Sequence, residues 1–167
     1  MTTIMTTMTM TFEENIRFAS EEDIESIMEV ENRAFGIHAY DYLTLKYMVT
    51  EANSVTVVFV SDKKIVAYAT VYFRKNSRVA HLESIAVDPI VQGKGIGKIL
   101  LKEIENISIN NGCNRMILET FEKNEVALKL YKNAGYELKE IIENYYTIPY
   151  DGSRNAIRLF KYLRNTI

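Results

Sequence analysis

The chain has 167 residues and a formal net charge of −2, with 20 lysines and arginines spread among 22 acidic residues rather than gathered on one segment. That length suffices for one sizeable core, so a single domain is expected, and the even charge offers no electrostatic footprint for DNA or RNA, which excludes nucleic acid as an expected partner. Cys113 is the single cysteine; it forms no intrachain disulfide and has no CxxC or histidine cluster beside it, which points to a reducing compartment, no bound metal, and a small apolar filler ahead of a strand.

Residues 1–11 contain only Met, Thr and Ile. They lack a basic start and a continuous apolar run, so they match neither a signal peptide nor a membrane span. A disordered 1–11 tail, a domain over 12–167 and a cytoplasmic location are expected, with Met5, Met8 and Met10 leaving the natural start open. Residues 16–19 read as a short strand. Ser20 and Asp23 form a variant capping box for a helix whose apolar side carries Ile24, Ile27, Met28, Ala34 and Phe35. A short helix follows over 42–49. Two β-rich runs, 55–60 and 65–73, are joined by Ser61, Asp62, Lys63 and Lys64 as a four-residue hairpin loop. Residues 79–87 form a strand ended by Asp88 and Pro89, and a helix from about 95 to 110 stops at Asn111 and Gly112. The next strand, 115–121, should lie parallel to 79–87 and beside it. Residues 124–134 place Ala127, Leu130, Tyr131 and Ala134 at helical spacing and end at Gly135. Two last strands, 136–142 and 156–163, flank a loop with Tyr145, Tyr146, Pro149, Asp151 and Gly152. The class is α/β in the mixed (α+β) sense, with a mostly antiparallel sheet rather than a doubly wound parallel one.

Between strand 79–87 and its helix lies Gln92 Gly93 Lys94 Gly95 Ile96 Gly97 Lys98. Glycines at 93, 95 and 97 permit positive φ and a close backbone approach, and the following helix turns free N–H groups and its positive end toward the turn. That suits a phosphate. Lys98 stands where a dinucleotide motif needs glycine, and Ile99 where a P-loop needs Ser or Thr, so both familiar motifs fail.

With the preceding Ser84 Ile85 Ala86 Val87, the Q-x-x-G-x-G spacing of Gln92 to Gly97 resembles the coenzyme A pyrophosphate loop of the GNAT N-acetyltransferases. Asn124 x x Ala127 x x Leu130 Tyr131 x x x Gly135 Tyr136 resembles the second signature of that family, and the resemblance covers residues 12–163 as an element order. Within the family the chain is most similar to the RimI-like protein N-terminal acetyltransferases. Glu119 in Ile117 Leu118 Glu119 Thr120 matches their glutamate base. Asn144 Tyr145 Tyr146 with Asp151 Gly152 resembles their tyrosine-rich loop, and Glu31 Asn32 Arg33 Ala34 Phe35 their substrate-facing segment. Asn155 Ala156 departs from an acidic residue followed by alanine.

The resemblance implies a single-domain GNAT fold whose parallel strand pair splays apart, flanked by helices, with acetyl-CoA as co-substrate and no metal. Ile85, Ala86 and Val87 would bind the coenzyme arm. The amides of Gln92, Gly93, Lys94, Gly95, Ile96, Gly97 and Lys98 would hold the pyrophosphate, the two lysines adding charge. Asn124 would bond the arm or cap its helix, and Tyr131 would protonate the leaving thiolate, although packing alone also accounts for Tyr131. By the two-residue period, His81, Glu83, Ile85 and Val87 should share one face, and Ile117, Glu119 and Phe121 another. Burial should raise the pKa of Glu119 toward neutrality, as a base acting on an ammonium requires. Glu119 is the first choice for base, Glu83 the second and His81 the third. Glu31, Phe35, Tyr145 and Tyr146 would wall the acceptor slot. The favoured acceptor is the α-amino end of a protein, on a monomer or homodimer with no membrane partner. The alternatives are a small amine such as a polyamine, amino acid or aminoglycoside, and a non-catalytic CoA-binding regulatory module, against which Glu119 and Tyr131 stand.

Overall fold

The computed structural model describes residues 15–164, and the expected 1–11 tail lies outside them. In chain order the elements are β1 (Ile16–Phe18), a 3₁₀ turn (Glu21–Asp23), α1 (Ile24–Phe35), a 3₁₀ turn (Gly36–His38), α2 (Tyr42–Thr50), β2 (Ser54–Ser61), β3 (Lys64–Phe73) and β4 (Val79–Val87). A 3₁₀ turn (Pro89–Val91), α3 (Ile96–Asn110), β5 (Arg115–Phe121), α4 (Glu125–Asn133), β6 (Glu137–Ile142) and β7 (Ala156–Tyr162) complete it. The strands make one sheet in the order β1-β2-β3-β4-β5-β7-β6, in which β4 and β5 are parallel and every other pairing is antiparallel.

Alternation along the central strands divides the apolar residues between two cores. Ala67, Ala69 and Val71 of β3 face Leu100, Leu101 and Ile104 of α3, with Tyr131 of α4 beside them. On the other face Tyr68 and Val58 pack with Ile24, Ile27 and Val30 of α1 and with Leu45 and Met48 of α2. The hairpin between β2 and β3 is tighter than the four-residue loop expected. The ladder closes at Ser61 and Lys64, and only Asp62 and Lys63 turn, with φ of 49° and 65°. Positive φ at both central residues matches the twist of the flanking strands, which a wider loop does not require.

The expected shared face along β4 is overturned by a bulge. Thr70 of β3 pairs with Ser84 but Val71 pairs with Leu82, which leaves Glu83 outside the ladder. The extra residue reverses the alternation. Ile85 and Val87 therefore lie opposite Ala69 and Ala67 on the α3 face, while His81 lies opposite Tyr72 on the other. The splay of the parallel pair is present at the same level. Val79 to Leu82 pair with Arg115 to Leu118, and the pairing goes no further.

The capping box at Ser20 is locked from outside the helix. Asp23 accepts from the Ser20 amide at 2.8 Å and from both terminal nitrogens of Arg17 on β1, at 2.7 and 2.9 Å. The Arg17 hydrogen bond, against the opposing cost of burial, brings the Asp23 carboxyl down to about 2. A depressed carboxyl stabilises the fold above its unfolded pKa and loses that contribution as pH falls through the folded value. Asp23→Asn should cost about 1 kcal/mol at neutral pH, as loss of a helix cap does. The gap to wild type in denaturant midpoint should close between about pH 4 and the folded value near 2.

Candidate active site

The strand β4 runs into a glycine-rich turn ahead of α3. Gly93 and Gly95 have φ of 80° and 82°, and a Cβ at either would meet nothing within 4 Å. Their left-handed conformation and open flank leave the backbone open to close approach. Gly97 differs from the expectation: it is helical, and a Cβ there would make ordinary contacts with Leu130 and Val87 at 3.6 and 3.7 Å. Asp88, nearly buried, accepts from the Ile90 amide at 3.1 Å and from Arg33 of α1 at 2.8 Å, tying the turn to the helix that leads into the 36–40 segment. Gln92 donates its side-chain amide to the Val87 carbonyl at 3.1 Å.

A cavity of about 520 Å³ opens over this turn, lined by Ile85, Ala86, Val87, Gln92, Gly93, Gly95, Ile96, Gly97 and Lys98 from one side and by Asn124, Leu130 and Tyr131 from the other. Lys94 does not reach it. A second cavity of about 370 Å³ contains His81, Glu83, Glu119, Glu31, Tyr40, Tyr145 and Tyr146. Phe35, His38, Ile85, Phe121, Asn124 and Tyr131 line both, so the two spaces meet at these residues. Asn124 caps α4 by accepting from the Ala127 amide at 3.2 Å. Tyr131 is 8% exposed, and its burial pushes the phenol well above its ordinary value, which keeps it protonated.

Glu119 stands just past the last rung of the parallel pair. Its Oε2 meets His81 Nε2 at 2.5 Å, and its Oε1 accepts from Arg158 Nε at 3.0 Å, with Arg158 Nη2 in ion-pair contact at 2.9 Å. Burial alone would raise this carboxyl, but the hydrogen bonds and charges of His81 and Arg158 outweigh it and hold the group below the usual carboxylate range. The expected upward shift is thus reversed, because His81 of β4 and, across the ladder on β7, Arg158 both meet this carboxylate. His81 moves the other way: the Glu119 hydrogen bond raises its imidazole against the opposing cost of burial. Glu83 accepts from the Tyr40 hydroxyl at 3.0 Å.

Glu31 touches the second cavity, yet both its oxygens are committed, Oε1 to the Tyr40 amide at 3.0 Å and Oε2 to the Tyr68 hydroxyl at 2.5 Å. It fixes the 36–40 segment from beneath. The aromatic wall extends past the expected tyrosines. Tyr146 stacks on Phe121 at 3.7 Å, Tyr150 stacks on it at 5.1 Å, and His38 meets its edge at 4.9 Å. His38 Nε2 also bonds the Pro149 carbonyl at 3.0 Å, joining the 36–40 segment to the 143–155 loop. Asn155 holds that loop by accepting from the Asn144 amide at 3.0 Å and donating to Glu122 at 3.3 Å. Sequence reasoning passed over Tyr40, His38, Tyr150 and Arg158. Only Arg158 carried a signal, as a charge inside an apolar strand.

Residues 21–136 match the acetyltransferase (GNAT) family. The chain belongs to the GNAT family. It is 30% identical over 154 residues to the ribosomal protein bS18-alanine N-acetyltransferase of Haemophilus ducreyi, spanning 86% of this chain and 96% of that protein. It is 29% identical over 135 residues to the glucosamine 6-phosphate N-acetyltransferase of Trypanosoma brucei brucei, spanning 75% and 90% of the two. The solved structure of the Escherichia coli ribosomal-protein-S18-alanine N-acetyltransferase has the same fold, with a TM-score of 0.80 over 91% of this chain and 97% of that one at 24% identity. This GNAT protein is an acetyl-CoA-dependent N-acetyltransferase. Among the described residues no helix is long and apolar enough to cross a membrane, and no group of side chains is arranged to hold a metal ion.

Acetyl-CoA should raise the melting temperature, because a ligand that binds only the native state stabilises it. Gly95→Asp would add a side chain and a negative charge to the open flank of the turn. Calorimetry should show acetyl-CoA affinity reduced at least roughly tenfold, about 1.4 kcal/mol, with the fold retained by circular dichroism. Unchanged affinity would remove the turn from the coenzyme site.

Proposed function

We propose that the enzyme acetylates the α-amino end of a protein, by direct transfer with both substrates bound. One observation carries this reading: the His38 to Pro149 hydrogen bond of 3.0 Å closes the 36–40 segment and the 143–155 loop over the second cavity. Tyr145 and Tyr146 line this cavity and would wall the slot for the acceptor. An extended chain end fits such a slot, whereas a lysine on a folded surface would bring its surroundings into the bridge. The 30% identity to the Haemophilus ducreyi enzyme, whose name specifies an alanine of ribosomal protein bS18, supports a protein acceptor. A reducing, cytoplasmic setting accords with the lone buried thiol of Cys113.

Gly93 to Lys98 and the freed edge of β4 at Ile85 to Val87 would hold acetyl-CoA, which supplies the activated acyl group. Tyr131, buried where the two cavities meet and kept protonated, is the proton donor on the leaving-group side. Glu119, bound to His81 at the second cavity, belongs to the group that takes a proton from the acceptor ammonium. Tyr145 and Tyr146 grip the first residues of the peptide by burial.

A small-amine acceptor is the second reading, favoured by the three carboxylates Glu31, Glu83 and Glu119 at one cavity and by the likeness to a glucosamine 6-phosphate N-acetyltransferase. A panel of amino-terminal peptides, polyamines, amino acids and aminoglycosides, read by thiol release, separates the two. Peptides should be acetylated efficiently and free small amines poorly. The opposite ranking would overturn the chain-end reading and leave the acetyltransferase assignment intact.

Tyr146→Ala removes the Phe121 stack and should raise the peptide KM about fivefold, the effect of losing about 1 kcal/mol of aromatic contact, with little change in KM for acetyl-CoA. Glu119→Gln should lower kcat with coenzyme affinity kept, because it takes the ionised partner away from His81 at the amine cavity.

A further inference from the structure

Both oxygens of Glu119 are already engaged by side chains of the protein. Arg158 occupies Oε1 through two nitrogens, His81 occupies Oε2, and the side chain is 8% exposed. Glu119 and His81 both line the cavity, and the imidazole is the more open of the two, with 33% of its side chain exposed. Its Nε2 faces Glu119, so its Nδ1 points the other way, toward Glu83 Oε2 at 3.7 Å. That separation is too long for a hydrogen bond. Glu83 is bound on Oε1 by the Tyr40 hydroxyl, which leaves Oε2 turned to the gap beside Nδ1. A small cationic group entering there would find one carboxylate oxygen and one imidazole nitrogen side by side.

We propose that His81 Nδ1 takes the proton of the acceptor ammonium, that Glu83 Oε2 holds this ammonium, and that Glu119 and Arg158 are positioning residues for the imidazole. The proposal rests on the reading of the second cavity as the amine site. With Nε2–H donated to Glu119, Nδ1 carries the lone pair. One N–H bond of the ammonium breaks and an Nδ1–H bond forms. The electron pair of the broken bond stays on the amine as the nucleophile. The imidazolium is balanced by Glu119 and passes its proton to water through the exposed side of the ring. Arg158 pins Glu119 from β7 and also bonds Glu140 on β6, so the carboxylate stays ionised and its free rotation is removed.

The groups facing His81 are Tyr72 across β3, Glu83 on β4, Glu119 on β5 and Arg158 on β7, with Tyr145 of the 143–155 loop near both carboxylates. Glu119 and Glu83 raise the imidazole pKa while burial and Arg158 lower it. A base that is active when neutral gives a kcat/KM that falls as pH drops through its pKa. The chain has 2 histidines, so His38→Gln assigns the two ring signals in a proton NMR titration.

The experiment combines that titration with kcat/KM against pH, using whichever amine the acceptor panel selects, so that failure of the chain-end reading changes only the amine. In the wild type the acid limb and the His81 ring should share one midpoint. Glu119→Gln should move both to lower pH and Arg158→Gln should move both to higher pH, since one removes a negative and the other a positive neighbour. His81→Gln should abolish the limb and cut kcat by roughly 10²-fold or more, while Glu83→Gln should chiefly raise the amine KM. Calorimetry of acetyl-CoA checks that each variant is folded. The proposal is overturned if the limb survives in His81→Gln at its wild-type midpoint, or if Glu119→Gln loses the limb while His81→Gln keeps its rate. Should a variant fail to fold, a mismatch between ring midpoint and rate midpoint in the wild type overturns it by itself.

Discussion

Two parallel strands in the middle of the sheet stop sharing hydrogen bonds after Leu82 and Leu118. Buried backbone N–H and C=O groups are costly to leave unpaired, so an interior strand edge of this kind demands a partner of extended shape. The larger cavity lies along the freed edge of β4, and the glycine turn lies at its end. Everything chemical in the molecule is arranged around that gap. His81 is on the last stretch of paired strand, Glu83 and Glu119 are the first residues beyond it, and Tyr131 faces it from α4. A continuous ladder would bury the same side chains in a closed sheet.

Keeping such a gap open needs stiff surroundings, and the buried polar groups supply them. Glu31 is fully buried, and desolvation raises its carboxyl despite hydrogen bonds from Tyr68 and the Tyr40 amide. A buried acid of this kind is tolerable only with its partners satisfied. Its geometry therefore fixes Tyr68 in the core of the sheet and the 36–40 segment above it at once. Tyr68 passes the connection on to Ser84 of β4 at 3.2 Å. Thr56 and Thr70 make a similar buried link of 2.8 Å between β2 and β3. On the opposite face, Lys161 of β7 and the Tyr136 hydroxyl bind Glu105 of α3, which anchors the helix that begins at the glycine turn.

Local signals carried the element order well, because each is written in neighbouring residues. The strands over 79–87 and 115–121 match β4 and β5 to the residue, and the capping box at Ser20 is present. The glycine turn was legible for the same reason, with Gly97 as the exception: its helical φ and its closeness to Leu130 depend on where α4 packs. What escaped depends on pairing between distant segments. A two-residue period places His81 and Ile85 on one face, and nothing in the sequence marks the bulge that separates them. The ionisation of Glu119 was misjudged because His81 and Arg158, 38 and 39 positions away, meet it only through the pairing of β5 with β4 and β7. The aromatic stack on Phe121 joins a strand end, a 3₁₀ turn and a long loop, none of which has a period to read.

The bulge at Glu83 has a consequence for how such a site changes over time. A side chain inside the ladder is judged by two cross-strand neighbours and by whichever core lies beneath it. Glu83 answers to neither, since it is the residue the pairing of β3 and β4 skips. Its replacement disturbs a hydrogen bond to Tyr40 but leaves the packing of both cores untouched. Position 83 is thus a place where the chemistry offered to an incoming molecule varies independently of the scaffold, one residue away from positions where almost nothing is allowed to move.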